Sequence, residues 1–444
     1  MEAVKIFSKF GKDRLIFAGL IIIVLAIPIT IILVKQVQDL RGRASSPDKL
    51  ETEGGVISGS VQKLADSLAS GGQFIKFTSS LTTSPTPGPT SPPSQGAWGP
   101  RSAPPTPTGS NVYTIPSSID GSGGSNVSSA INNFIQGVPN GSIIVFPAGK
   151  TYQVNPAITL SDRNNLTFWG YDSTLRNTGP GNNVNSSAFI LYRSDDIKIL
   201  GFNIRGNHTD MSTLSDGEFA MGVAMYDDSD NVEVADNYIS DVFGDGIFVF
   251  VFEKPACDNW NFHHNLIENP GRQGITPNEG NGRIEWNIIR GPGMYNIDAE
   301  DQHSSYPSNG GNKNLGPVVI SNNWFDGWEQ YDNFTPHVVV ADYDSASMDT
   351  IHDITIENNL FTGGDLGTLS QYFGNDIGLI SFWGSVPKTN IIIRNNTFNL
   401  PTNQRSGWAI RLSNVNGGQV TGNVVPGQTV QCSSCTNVTI NNNQ

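Results

Sequence analysis

The chain has 444 residues, with 40 acidic against 26 basic side chains and a formal net charge of -14. That balance excludes the basic stripe of a nucleic-acid binder and the polybasic face of a lipid binder, and it suits neutral glycans or metal cations. Three cysteines, Cys257, Cys432 and Cys435, are too few for a disulfide scaffold or a four-ligand zinc site.

Residues 1–14 carry Lys5, Lys9, Lys12 and Arg14 and precede a segment, 15–34, with no charge and a single hydroxyl side chain, Thr30. At about 1.5 Å per helical residue that segment matches the roughly 30 Å hydrocarbon core of a bilayer. A cleaved signal peptide would have an apolar region of about 7 to 15 residues ending in a small-residue cleavage site. Val34-Lys35-Gln36 offers no such site. The sequence therefore predicts one transmembrane helix over 15–34, kinked at Pro28, with a cytoplasmic N-terminus. Residues 35–78 form a juxtamembrane segment, in which Leu50-Glu-Thr-Glu and Ala69 to Phe77 resemble opening strands of a β-sandwich carbohydrate-binding module. The piece is far shorter than the ~100 residues such a module needs, and reads as a remnant. Residues 79–110 are rich in Pro, Ser, Thr and Gly, which favours an extended spacer.

From residue 111 to 444 the sequence becomes a repeat. Segments beginning at Asn165, Asp196, Asn231, Asn259, Gly282, Pro317, Asp353 and Asn390 share one shape, and shorter copies follow at Gly422 and Asn437. Each alternates apolar and polar residues, turns at Asn, and resumes with an apolar pair, which reads as two short strands meeting at a bend. The offset places Asn237, Asn265, Asn287, Asn323, Asn359, Asn396 and Asn423 at one position of successive copies. Stacked Asn side chains can satisfy one another and tolerate left-handed backbone, so a buried polar ladder is expected there. Intervals of 28 residues from Asn231 to Asn259 and 36 from Pro317 to Asp353 suit a coil of three short strands. No leucine-rich or helical period is present. Ser128 to Gln136 has Ile131, Phe134 and Ile135 at helical spacing, with serines available as N-caps, and can cover the first coil.

Asp120-Gly-Ser-Gly, that helix, and Val138-Pro-Asn-Gly-Ser-Ile-Ile-Val-Phe-Pro-Ala-Gly-Lys-Thr-Tyr resemble the entry segment of the pectate-lyase-like superfamily. The resemblance spans residues 111–444 and implies an all-β domain, a right-handed parallel β-helix. It leaves function open, because that superfamily holds lyases, hydrolases, epimerases, phage tailspikes and non-catalytic surface proteins.

A further strand per coil precedes the Asn-bearing one. Aligned on its apolar entry, it begins at Gly246, Gly274, Asn296, Val339 and Gly378. In that register Asp298 and Glu300 share one outer face, with Asn278 and Asp342 flanking Glu300 on the neighbouring coils. Strand geometry spaces them by about 6 to 7 Å along the chain and ~4.8 Å between coils. Carboxylates that close require a raised pKa or a bound cation such as Ca2+, although no metal ligand set is assigned. Asp298, Glu300 and Asp342 are the candidate catalytic residues. They fit glycoside hydrolysis, in which paired carboxylates about 5 to 9.5 Å apart act as acid and base or nucleophile. They equally fit β-elimination on a uronic-acid polymer, where Ca2+ would hold the substrate carboxylate and Arg272, Tyr295, His303 or Lys313 would matter. Solvated surface acids or a structural cation site are the plainer reading. Trp383, with Trp324, Trp328, Tyr331 and Phe382, could stack on sugar rings.

The Gly-His-Gly and Arg-x-Lys of polygalacturonase-like hydrolases are absent. Tyr295-Asn-Ile-Asp298-Ala-Glu300-Asp is distantly similar to the Tyr-Gly-Phe-Asp-Pro-His-Glu of alginate epimerases and lyases, matching at Tyr295 and Asp298, with Glu300 where that motif has His. Asp245, in Gly244-Asp-Gly-Ile, could be catalytic, but an Asp between two glycines is more often a turn residue. His263 and His264, in an Asn-bearing strand, read as core or ladder residues. The lone C-x-x-C of Cys432 and Cys435 reads as a local disulfide or two idle thiols. The expectation is a membrane-anchored extracellular protein that cleaves or modifies a polysaccharide in a groove, the alternative being a non-catalytic binder of surface glycans.

Overall fold

The computed structural model describes residues 61–65, 73–77 and 97–444, except 210–216, 253–254, 302–313, 328–335, 343–349, 364–377 and 401–407. The predicted membrane span lies outside these residues, and no described helix is long and apolar enough to cross a bilayer. Two compact units are present, Met1–Thr86 and Pro87–Gln444. The first contains an antiparallel strand pair, Val61–Ala65 with Gln73–Phe77. Gln73–Phe77 lies in the predicted 69–77 strand, whereas Leu50 lies outside the described residues.

The second unit is a right-handed parallel β-helix. Its strands form three parallel sheets of 10, 13 and 10 strands, each following sequence order, so every coil adds one rung to each sheet. A representative coil runs from Ile247–Phe250 on the first sheet to Trp260–His263 on the second, turns at Asn265, and continues as Leu266–Glu268 on the third. Inward positions such as Ile247, Val249, Phe262 and Ile267 stack into one continuous hydrophobic core. On the second sheet burial alternates, as in Trp260–His263, because one face meets water. On the first sheet Val223–Tyr226 and Ile247–Phe250 are buried on both faces.

The asparagine ladder is present at each predicted position and extends one rung further, to Asn443. From Asn237 to Asn423, each ladder Asn donates its backbone N–H and its Nδ2–H to the Oδ1 of the next, at 2.8–3.1 Å. Each Nδ2 also donates backwards to a strand carbonyl one coil earlier, as Asn287 does to Phe262 at 2.9 Å. The left-handed backbone falls one residue before the position expected. Asp236, His264, Trp286, Asn322, Asn358 and Asn395 have φ of 53–59°, which aims the ladder side chain inward from an extended backbone. Asn and Asp residues at the start of second-sheet strands, including Asn231, Asn259, Asp353 and Asn390, form a second left-handed row at φ of 54–56°.

The capping helix Ser128–Gln136 buries Ile131 and Ile135 and packs Phe134 against the core. No serine caps it. Val127 is the N-cap, and the Asn126 Oδ1 accepts the Ser128 N–H at 3.0 Å. Within the helix, Asn132 substitutes for a missing strand. Its Nδ2 donates to the Ala157 carbonyl at 2.9 Å and its Oδ1 accepts the Thr159 N–H at 3.0 Å, which covers the free edge of the first sheet. Cys432 and Cys435 form a disulfide, and Cys257 is a buried thiol.

Within the expected spacer, Ala97–Arg101 lies against the solenoid. The Trp98 indole N–H donates to the Asn322 carbonyl at 2.7 Å, the Gly99 N–H to the Trp286 carbonyl at 2.9 Å, and Arg101 forms an ion pair with Asp236 at 2.8 Å. The strap thus follows the left-handed turn residues back along four rungs of the ladder.

Candidate functional site

The outer wall of the first sheet carries the row Ile190, Ala224, Phe248, Thr276, Asp298, Val339 and Ser381, all buried. Asp298 takes its place there because Ile297 and Ala299 on either side of it point into the core. Towards the N-terminal coils the wall is aromatic, with Tyr192 stacked on Tyr226 and Tyr226 on Phe252 at 4.9 and 5.2 Å. Beyond Phe248 it takes on polar residues, Thr276 and then Asp298.

Glycines at the corners where strands enter the first sheet fix where this polar patch begins. A Cβ on Gly246 would lie 2.7 Å from the Gly274 carbonyl oxygen and 2.6 Å from the Ile267 side chain, so only glycine lets successive coils close up there. Just before that corner, Asp245 is fully buried and Gln273 occupies the same place one coil later. The Gln273 N–H donates to the Asp245 Oδ1 at 3.2 Å, and its Nε2 donates to the Asp298 Oδ2 at 2.8 Å. A single neutral residue thus joins two buried carboxylates. Arg272 lies 3.9 Å from Asp245 and 3.4 Å from the more open Glu218. Burial pushes the Asp245 pKa up, against the opposing pull of the Arg272 charge and the Gln273 N–H. Asn278, 2 % exposed, has neither of its amide atoms hydrogen-bonded among the described residues.

The sequence-predicted residues separate into three groups. Arg272 and Asp298 meet at the Asp245–Gln273 patch. Tyr295 and Trp383 come together over Val339 and Ala341, in a small apolar cluster with Met294. Asp342 stands apart, and its expected register is corrected. The strand pairing sets Glu300 beside Ala341 and Asp342 beside Asp301, one residue from the expected register, because His337 is the residue that stands opposite Asn296 at the entry of this coil. The next coil is likewise aligned through Leu379, not Gly378. The Asp342 carboxylate accepts the Ser385 N–H at 2.8 Å and the Val386 N–H at 3.1 Å, and it pairs with Lys388, whose side chain is fully buried. Glu300 lies in the strand Ile297–Asp301, but its side chain is outside the described residues, as are His303 and Lys313.

Two of the candidate sugar-stacking aromatics are committed elsewhere. Phe382 is in the core, and Trp324 lies beneath Trp98 of the strap at a ring distance of 5.7 Å. His263 bonds Glu233 at 3.2 Å on the solvent side of the second sheet. Sequence reasoning favoured a turn role for Asp245 over a catalytic one and passed over Gln273. The signal was the alignment of Gly244-Asp-Gly-Ile with Arg272-Gln-Gly-Ile, which puts Asp and Gln on adjacent rungs. For Ca2+, which takes six to eight oxygen ligands, the described residues are a poor fit. Asp298 receives an amide N–H, the Arg272 cation lies beside Asp245, and no described group of three or more His, Cys, Asp or Glu could hold a metal.

No protein-family model and no curated protein matches the chain. Among solved structures it is similar in backbone to an alginate lyase from Paenibacillus sp. str. FPU-7, at 15 % identity and a TM-score of 0.45, over 70 % of this chain and 97 % of that one. It is similar also to a family 28 exopolygalacturonase from Yersinia enterocolitica, at 10 % identity and a TM-score of 0.47, over 74 % and 78 % of the two chains. A GH87 α-1,3-glucanase catalytic unit from Streptomyces thermodiastaticus strain HF3-3 gives 15 % identity and a TM-score of 0.45, over 75 % and 68 %. These likenesses are too loose to carry an argument about activity.

Proposed function

We propose that this chain is a carbohydrate-active enzyme that cleaves or otherwise modifies a polysaccharide at the first-sheet wall, with Asp245 and Asp298 as its working carboxylates. The observation that carries the reading is the Asp245–Gln273–Asp298 bridge. Glycosidic cleavage needs one carboxyl that holds a proton and one that does not, and Gln273 links two carboxylates in different surroundings. Asp245, raised by burial, suits proton donation to the leaving oxygen. Asp298, held by a donated amide N–H, suits activation of water or attack. Arg272 tunes the acid, Asn278 offers an open amide to a sugar hydroxyl, and Trp383 with Tyr295 supplies an apolar surface at the same wall. Glu300, His303 and Lys313 remain proposed contributors. In the same reading, residues 15–34 anchor the chain and the β-helix faces outward.

The full chain should be incubated with a polysaccharide panel, with and without Ca2+. New reducing ends alone mark hydrolysis, ultraviolet absorbance of an unsaturated end marks elimination, and a changed sugar composition marks epimerisation. Asp245→Asn and Asp298→Asn should each lower turnover by at least ~10²-fold, the usual size of an acid–base contribution. Unchanged turnover in both would remove them from the site. Full burial of both carboxylates favours a second reading, a glycan-binding surface protein in which they brace the wall. Binding without turnover would select it.

A further inference from the structure

Phe219 is 45 % exposed and is the one exposed aromatic side chain among the described residues. A single open apolar residue means little by itself. The way this one is mounted gives it meaning. The Phe219 N–H donates to the Gly181 carbonyl of the preceding coil at 2.8 Å, and the Ala220 carbonyl accepts the Gly244 N–H of the following coil at 3.0 Å. A Cβ on Gly217, at φ of 114°, would lie 2.1 Å from the Gly181 carbonyl carbon, so the backbone there is pressed against its neighbour. The ring is thus carried by backbone held from both sides. Its neighbours in sequence reach the polar patch: Glu218 lies 3.4 Å from Arg272, and the Met221 Sγ accepts the Asp245 N–H at 3.1 Å.

We propose that Phe219 is the platform of a sugar subsite beside the Asp245–Asp298 patch and that the sugar it takes is a neutral pyranose. This rests on the reading of the wall as carbohydrate-active and adds the substrate class. The C–H face of a pyranose is apolar, and laid on the ring it removes from water the surface that Phe219 exposes. Charge selects a neutral sugar over a uronate. Glu218, Asp245 and Asp298 are all carboxyl groups, and the cation among them, Arg272, already lies against Glu218 and Asp245. At the far end of the first-sheet strand that follows Phe219, the Asp228 pKa is pushed up by burial and by the like charges of Asp195 and Asp258. A uronate would bring further negative charge to a wall with carboxyl groups at both margins.

Affinity electrophoresis of the full chain in detergent reads binding without needing turnover. The gels would hold a neutral polymer (galactomannan, xyloglucan or dextran) or a polyuronate (polygalacturonate or alginate). At least one neutral polymer should retard the chain more than either polyuronate does. Phe219→Ala should weaken that retardation about tenfold and Phe219→Trp should keep it, with both variants melting within a few degrees of the parent. The tryptophan variant also reports directly, since its added indole emission should shift to the blue when the neutral polymer binds, and this holds the test should Phe219→Ala unfold. Where the bound polymer is turned over, Phe219→Ala should raise KM about tenfold and leave kcat within a factor of about two, as expected of a group that binds without reacting. Retardation by a polyuronate as strong as by any neutral polymer overturns the proposal. So does neutral binding that Phe219→Ala leaves unchanged, a silent indole in Phe219→Trp, or no retardation by any polymer. Neutral binding that needs Phe219 but brings no turnover upholds it and sinks the enzymatic reading instead. Turnover that ignores Phe219→Ala does the reverse.

Discussion

On the second sheet Lys198 pairs with Glu233, Arg283 with Glu285 and Arg394 with Glu357, at 2.6–2.7 Å and each partly open to water. On the first sheet, equivalent outward positions hold Ala224, Phe248, Asp298 and Val339, all buried. The backbone repeat is the same and the outward side chains obey opposite rules. Where water reaches the rungs, charges pair along a strand, as Arg283 and Glu285 do, or across coils, as the other two pairs do, at little cost and with little gain. Where the wall is covered, a carboxylate stays only if something donates to it, as Gln273 does to Asp245 and Asp298 and Lys388 does to Asp342.

Breaking that contrast should cost most at Lys388. Lys388→Met leaves Asp342 charged, buried and short of its cation, with an expected loss of about 3–5 kcal/mol in urea unfolding. A loss below 1 kcal/mol would mean that water reaches the pair. The next effect reverses sign. Because the folded pKa of Asp245 is raised, the stability linked to it is fully present below the unfolded value of about 3.9 and is lost as pH rises through the folded one. Asp245→Asn escapes that loss, so it should melt a few degrees above the parent at pH 8, with the gap closing towards pH 4. An unchanged gap would show that Asp245 binds its proton equally well in the folded and unfolded states, so that burial does not raise its pKa. The smallest effect belongs to the open face. A hydrogen bond from His263, with help from Lys198, pulls Glu233 down to about 2. Its stability is present above about 4.3 and is lost as pH falls through the folded value. Glu233→Gln should therefore cost less than ~1 kcal/mol at pH 7 and nothing below pH 2. Opposite pH signatures at Asp245 and Glu233 would sharpen the contrast between the two sheets.

The fold was legible because the ladder repeats one residue type at one offset, and few alternatives satisfy a buried column of amides. Its left-handed residues were misplaced by one, since Asp, His, Trp and Asn share that place and no single type marks it. The first sheet was harder to read. Gly246 and Gly274 announce their strands because a Cβ would strike the next coil, but Asn296, His337 and Leu379 fill the same corner and the cue vanishes. That is why Asp342 was placed one rung position away from where it pairs. Asp298 and Arg272 were singled out as charged groups near a predicted wall. Their link was missed because it runs through Gln273, a neutral residue that no search for titratable clusters would select.

The strap at Ala97–Arg101 has a mechanical consequence. Chain arriving from upstream first grips the solenoid at Asn322 and Trp324 and releases it at Asp236, several rungs nearer the capping helix. A pull on the upstream segment is therefore taken up in shear across the flank, by an indole, a backbone amide and a guanidinium acting together. The first coil, which the same force could otherwise peel away rung by rung, carries load only after those three contacts have given way.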